Sequence, residues 1–291
     1  LSADADIVFD GSFADWKRAA RGALAAGVAP DFAEWVNLAS GQAVLALAEP
    51  CVAEAAGKKA GEARKPIRVP RAFLELAADV ACHRDEARWG LLYRVLWRLT
   101  HGEPELLAVP VDRDTHGLHV LAKAVHRDIH KMRAFVRFRE VATEAGPWFV
   151  AWFEPQHLIV EANAPFFRDR FANMRWSILT PDRCVHWDPR GEKPELCFTP
   201  GARREEAPTG DAAEALWRTY YASIFNPARV KIGAMQAEMP RHYWKNLPEA
   251  ALIPRLLAEA RSRVEAMVEK SAAKQKTSAG SGGPADGKAT G

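Results

Sequence analysis

Cysteine is scarce in this 291-residue chain: Cys51, Cys82, Cys184 and Cys197 stand apart, with no CxxC pair among them. That spacing supplies no zinc or iron–sulfur motif and no disulfide framework. Reduced thiols, a cytoplasmic setting, no metal and no cofactor are the expectation. No apolar run approaches the ~20 residues that cross a bilayer, and no segment reads as a secretory signal. A Gly-rich phosphate loop is also missing, so the kinase-like tripeptide His126-Arg127-Asp128 lacks its usual companion, and Arg133 stands where that motif has asparagine. Charge of one sign is not in excess: 40 Lys and Arg against 37 Asp and Glu leave +3, too mild by itself to demand a polyanionic partner. The first residue is Leu1 and not Met, as in an excised fragment or a non-standard start codon read literally.

What is present is material for a core, with 48% hydrophobic residues. An N-terminal helical part (1–82), a basic α+β core (83–270) and a disordered interdomain linker (271–291) are expected. Residues up to Val8 read as a strand-compatible lead-in, and Asp10 or Ser12 is placed to cap a helix through Trp16 and Leu24. The Ala-rich stretch from Gly27 to Pro70 reads as a helix-loop region. From Arg71 to Arg98 apolar residues recur at helical spacing, predicting two helices that meet near His83-Arg84-Asp85. Leu121, Val125, Ile129, Met132 and Val136 predict one buried face of a helix running from Gly117 to Val141.

Beyond Gly146-Pro147, the runs 148–153 and 157–161 predict a β-hairpin about Pro155-Gln156. A helix from Phe166 to Met174 and short strands at 185–188 and 195–198 follow. Further helices are expected from Asp211, from Pro227 to Met239, and from Ala250 to Glu269. Helices around a small antiparallel sheet make an α+β class. The Gly/Ser/Lys-rich residues after Ser271 cannot anchor a core, so the C-terminus reads as a cut between domains.

Charge distribution says more than the total. Between Leu121 and Val141, Lys123, Arg127, Lys131, Arg133, Arg137 and Arg139 face only Asp128 and Glu140. On a helix His126, His130, Arg133 and Arg137 share one face, with Lys123, Arg127 and Lys131 in an adjoining row. A second basic window contains Arg241 and Lys245, and aromatics such as Trp176, Tyr243 and Trp244 lie near such windows, as does Arg175. Cations interleaved with aromatics suit phosphates and stacked or flipped bases; the plain alternative is a solvated surface. His126 and His130 have the spacing of two metal ligands, but no neighbouring glutamate accompanies them and the surrounding arginines repel a cation. An acid–base role for His126, Asp128 or His130 stays open. His157, Glu161, His186 and Asp188 read as hydrogen-bonded structural groups.

The run from Val125 to Arg139 resembles the hallmark of a bacterial DNA-metabolism family, a domain of unknown function. So do Trp152-Phe153-Glu154-Pro155, Phe166-Phe167, Arg170-Phe171, Trp176-Ser177-Ile178, Met239-Pro240-Arg241 and Tyr243 to Pro248. The resemblance covers about residues 7–260. It implies a part in DNA repair or modification beside a uracil-DNA glycosylase of the iron–sulfur type, fused through a linker, or beside a radical-SAM protein. It supplies no catalytic residues, and no glycosylase motif is present here. Three readings follow: an accessory module binding single-stranded or damaged DNA, an enzyme on nucleic acid or nucleotide using His126, Asp128 and His130, and a protein-docking module using Tyr243-Trp244.

Overall fold

The computed structural model describes residues 5–40, 68–109, 111–143, 146–191, 193–207 and 241–244, with single positions at 247, 252, 254, 255 and 258. The fold is α+β. Two compact units interleave in sequence: Leu1–Ala134 with Pro155–Ala172, and Phe135–Glu154 with Asn173–Gly291. The division drawn from sequence at residues 82 and 83 lies inside the first of these.

The first unit opens with β1 (Ala5–Phe9), α1 (Phe13–Ala26) and β2 (Ala33–Asn37), and the two strands pair in parallel with Ile7 opposite Trp35. Ser12 starts α1: its Oγ accepts the Asp15 N–H at 3.1 Å, while Asp15 Oδ2 accepts the Asp10 N–H at 3.0 Å. Backbone donors that a bare helix end leaves open are thereby satisfied. Gly27 ends α1 at φ 72°, and the Val28 N–H closes onto Ala23 O at 3.0 Å. Strand β2 corrects the helix-loop expectation for this stretch. Its Trp35 sits 6.0 Å from Phe9, 5.6 Å from Trp16 and 5.2 Å from Tyr93, ring to ring, and this aromatic packing outweighs an Ala-rich composition.

Helices α2 (Arg71–Ala81) and α3 (Ala87–Thr100) form where the periodicity predicts them. Phe73, Ala77 and Val80 of α2 join Trp89, Leu92, Tyr93, Val95, Leu96 and Leu99 of α3 in one core with Phe9, Trp16 and Leu118. The 23-residue helix α4 (Arg113–Phe135) buries Leu118, Ala122, Val125, Asp128 and Met132. It stops six residues short of the expected Val141, because the β-branched and aromatic run after Phe135 leads into a strand whose first residue, Arg139, pairs with Val150. Arg137 therefore leaves the helical face assigned to it, and Arg139 is on a strand.

The expected hairpin is also corrected. Residues 157–161 pair with no strand; they turn into α5 (Val160–Arg170), which passes through Pro165. Asn163, 0% exposed, ties α5 to α4: its Oδ1 accepts from Arg133 Nε at 2.7 Å and its Nδ2 donates to Ile129 O at 3.4 Å. That tertiary anchor overrides the strand preference of Ile159 and Val160.

The second unit holds β3 (Arg139–Thr143), β4 (Gly146–Trp152), β5 (Trp176–Leu179), β6 (Arg183–Trp187) and β7 (Cys197–Pro200), adjacent in that order. The sheet is mixed: β4 and β5 run parallel and the other pairs antiparallel. Ala151, Trp176, Ile178 and Val185 are buried, and the registers Ala151 to Ile178 and Ile178 to Val185 put the contributions of β4, β5 and β6 on a common face. Phe153 stacks on Tyr243 of the short α6 (Arg241–Trp244) at 5.2 Å. The helices expected from Asp211, over 227–239 and over 250–269, and the linker from Ser271, lie outside the described residues apart from isolated positions.

Phe73 is 1% exposed at the centre of the first unit. Phe73→Ala is expected to lower unfolding free energy by about 3–5 kcal/mol in urea titrations; a loss under about 1 kcal/mol would mean that this core is not packed as described.

Candidate nucleic-acid interface

The surface of α4 carries Lys123, His126, Arg127, His130 and Arg133, all exposed, with Lys131 half-buried. Lys123, Arg127 and Lys131, four apart, run about 12 Å along the helix. Among the described residues, Lys123, Arg127, His130 and Lys131 have no hydrogen-bond or ion-pair partner. Cations on neighbouring helices are treated differently. Arg71 pairs with Glu75, Arg94 with Asp114, Arg98 with Glu103, and Arg168 with Asp169. Such pairs cancel their fields at short range, whereas the α4 row projects its charge outward.

The helix adds two residues that the sequence window, opened at Leu121, did not include. His116 and His119 are exposed, and His116, His119, Lys123, His126, His130 and Arg133 step by three, four, three, four and three along one stripe.

Other residues of the expected surface are committed elsewhere. His126 Nε2 donates to Asp79 Oδ2 at 2.8 Å. Arg133, besides its bond to Asn163, lays its guanidinium 4.4 Å from the centre of the Phe166 ring, so it braces α5 against α4. Asp128 is 1% exposed and its Oδ2 accepts the His157 N–H at 2.9 Å. His126, Asp128 and His130 are thus split between an exposed and a buried face of α4 and do not converge.

The remaining expected residues, Arg137, Arg139, Arg175, Trp176, Arg241, Tyr243, Trp244 and Lys245, fall in the second unit. Arg175 stands 4.2 Å over Trp148 and its Nε donates to Asp188 Oδ2 at 3.1 Å. Arg190, bonded to the same carboxylate, holds the Asp188 pKa down to about 2. Trp176 is 0% and Tyr243 1% exposed, which corrects their assignment as stacking platforms: both are core rings. Trp244 is half-buried, while the side chains of Arg241 and Lys245 are outside the described residues. Among the described residues, no three His, Cys, Asp or Glu side chains converge as a metal site.

Two arrangements had no sequence signal. Across the sheet, Trp148 Nε1 donates to Ser177 Oγ at 2.8 Å, Ser177 Oγ lies 2.7 Å from His186 Nδ1, and His186 Nε2 lies 2.9 Å from Thr199 Oγ1. Thr199 gives its one hydroxyl proton to Pro200 O at 3.4 Å, so His186 Nε2–H donates to Thr199 Oγ1, and Ser177 donates to His186 Nδ1 while accepting from the Trp148 indole. Burial holds the His186 pKa below its ordinary value, consistent with a neutral link.

The other arrangement is in the first unit, where the imidazoles of His83 and His157 face one another at 4.2 Å. His83 belongs to the α2–α3 turn and His157 to the loop ahead of α5. Burial lowers both pKa values. For His157, the His83 imidazole and the Arg84 and Arg127 guanidinium groups lower it further, against an opposing pull from Asp128. Beside them burial pushes the Cys82 thiol up to about 11, so it is inert at neutral pH.

A family description, the domain of unknown function DUF4130, matches residues 86–249, more than half of the chain. The chain belongs to the DUF4130 family. The match takes in α3, α4, α5 and the five-stranded sheet, with the cationic row, Asp128 and His157 inside it and His83 and Arg84 just ahead of it. No curated protein and no solved structure matches the chain. The DUF4130 description names no activity, so function has to be read from the residues. No helix among the described residues is long and apolar enough to cross a membrane.

The lowered pKa values of His83 and His157 fix a pH dependence. Unfolded, these imidazoles take up protons near pH 6.5; folded, they do so only at lower pH. Between the two values the unfolded chain binds more protons, so stability is present above about pH 6.5 and is lost as pH falls through the folded values. Chemical denaturation at successive pH values is expected to show this decline, and His83→Phe with His157→Phe is expected to flatten it. A slope unchanged in the double variant would contradict the assignment.

Proposed function

We propose that this DUF4130 protein is a nucleic-acid-binding accessory module of DNA metabolism that holds single-stranded or damaged DNA along the exposed row of α4. The observation that carries the reading is the set Lys123, Arg127 and Lys131, with His130, left without partners among the described residues. Charge held this way binds phosphates by releasing their counterions, a sequence-independent mode of attachment. The proposed beneficiary is a linked or partner uracil-DNA glycosylase or a radical-SAM enzyme, on the strength of the resemblance carried by residues 125–139. An enzyme built on His126, Asp128 and His130 has less support, because Asp128 is buried and engaged by the His157 N–H. Docking through Tyr243 has less support for the same kind of reason: that ring is buried against Phe153.

Fluorescence anisotropy with single-stranded, duplex and uracil-containing oligonucleotides across a salt series tests the proposal. The combined variant Lys123→Glu, Arg127→Glu, Lys131→Glu is expected to weaken binding for every sequence. At about 0.7 per phosphate contact, it should reduce the slope of log affinity against log salt by about 2. A folded variant with unchanged affinity and slope would overturn the proposal.

A further inference from the structure

His83 and His157 come together from two separate segments, with ring centroids 4.2 Å apart and planes 31° from parallel. Each commits its Nδ1 to the same short piece of backbone. The Asp85 N–H donates to His83 Nδ1 at 3.1 Å, and the Arg84 N–H to His157 Nδ1 at a longer 3.4 Å. A ring nitrogen that accepts is unprotonated, so the neutral imidazoles carry their protons on Nε2. With both Nδ1 atoms turned toward residues 84 and 85, both Nε2–H groups are directed away from that turn, side by side. Both rings are half-buried, and among the described residues neither Nε2 has a partner.

The pair is held from several directions. The His157 N–H donates to Asp128 Oδ2 at 2.9 Å, the Leu158 N–H to Cys82 O at 2.8 Å, and Arg84 Nε to Gln156 O at 3.0 Å. Arg88, 1% exposed, fixes the turn itself through Ala81 O at 3.1 Å and Asp85 O at 2.9 Å. Two N–H donors held in this frame, half-shielded from water and without acceptors among the described residues, are arranged for an acceptor from outside. The charges acting on the pair are Asp85 and Arg88 at His83, and Asp128, Arg84 and Arg127 at His157. Arg127 is exposed and unpaired among the described residues, and its charge is felt at His157.

The geometry points to a phosphoryl-binding site in which His83 Nε2–H and His157 Nε2–H contact oxygens of one phosphate group and Arg127 supplies the neutralising charge. A tetrahedral oxyanion has enough oxygens to meet two adjacent donors and a guanidinium together, and charge-assisted bonds of this kind are strong. The nucleic-acid reading enters only for the source of the phosphate: because Arg127 belongs to the α4 row, a strand on that row would bring a phosphate to the pair.

Long-range proton–nitrogen spectra of the full chain, titrated with inorganic phosphate at constant ionic strength, test the site. The expected result is a saturable shift of the His83 and His157 Nε2 signals that the exposed His119 and His130 do not share. His83→Phe with His157→Phe keeps two stacked rings but removes both donors, and should weaken phosphate binding at least about tenfold. His157→Gln, which returns an N–H near the lost position, should weaken it less than about threefold. Wild-type protein in which phosphate leaves the pair silent, or shifts all histidines alike, would overturn the site whatever the variants do.

Oligonucleotides with a 5′-phosphate and with a 5′-hydroxyl distinguish the sources. A shift at the pair with the first alone assigns a terminal phosphate, and with both an internal phosphodiester. Phosphate at the pair without any oligonucleotide binding would keep the site and overturn the nucleic-acid reading. Oligonucleotide binding with the pair silent to every phosphate source would do the reverse.

Discussion

Asp128 is a buried carboxylate in the middle of a basic helix, and the local architecture of the first unit hangs on it. Its Oδ2 takes the His157 N–H at 2.9 Å, which fixes the loop between β4 and α5. The next N–H in that loop, of Leu158, closes onto Cys82 O at 2.8 Å. One carboxylate therefore helps hold α4, the α2–α3 turn and the start of α5 in a common frame. Without it a part-buried N–H would lose its partner, at a cost of up to about 1–3 kcal/mol. The same frame sets the histidine pair, so the interaction that stabilises the fold also creates the local chemistry.

Electrostatic economy divides the surface of this unit. Arg71, Arg94, Arg98 and Arg168 are paired within their own neighbourhoods, and Arg133 is spent on Asn163 and Phe166. The outward face of α4 from Lys123 onward carries a short row of Lys123, Arg127 and the half-buried Lys131 with exposed histidines beside it. In a chain with a net charge of only +3, a polyanion would be recognised by this local concentration and not by the overall charge. Arg127 joins the two features, since it is both a member of the row and a charge felt by His157.

Helices with a clean apolar stripe were legible in the sequence: α2 and α3 form where Phe73, Val80, Leu92 and Leu99 recur, and the strand character of 148–153 holds in β4. Elements decided by distant contacts were not. Ile159 and Val160 look like strand residues until Asn163 is tied to α4, and Ala33–Asn37 looks like part of an Ala-rich loop until Trp35 meets its aromatic neighbours. The site was half legible for the same reason. Periodicity found the cations of α4, but it carried the helix through to Arg137 and Arg139. It could not show that Asp128 faces inward while His126 faces out. His83 and His157 are 74 positions apart in the sequence, and only the folded turn and loop bring them into contact.

The most direct test of the central claim is a map of backbone-amide shift changes across the whole chain as a short single-stranded oligonucleotide is added at low salt. The account predicts that the largest changes fall on α4 between Lys123 and Arg133 and fade as salt is raised. Changes confined to the β3–β7 sheet, or a map that stays flat at low salt, would contradict it.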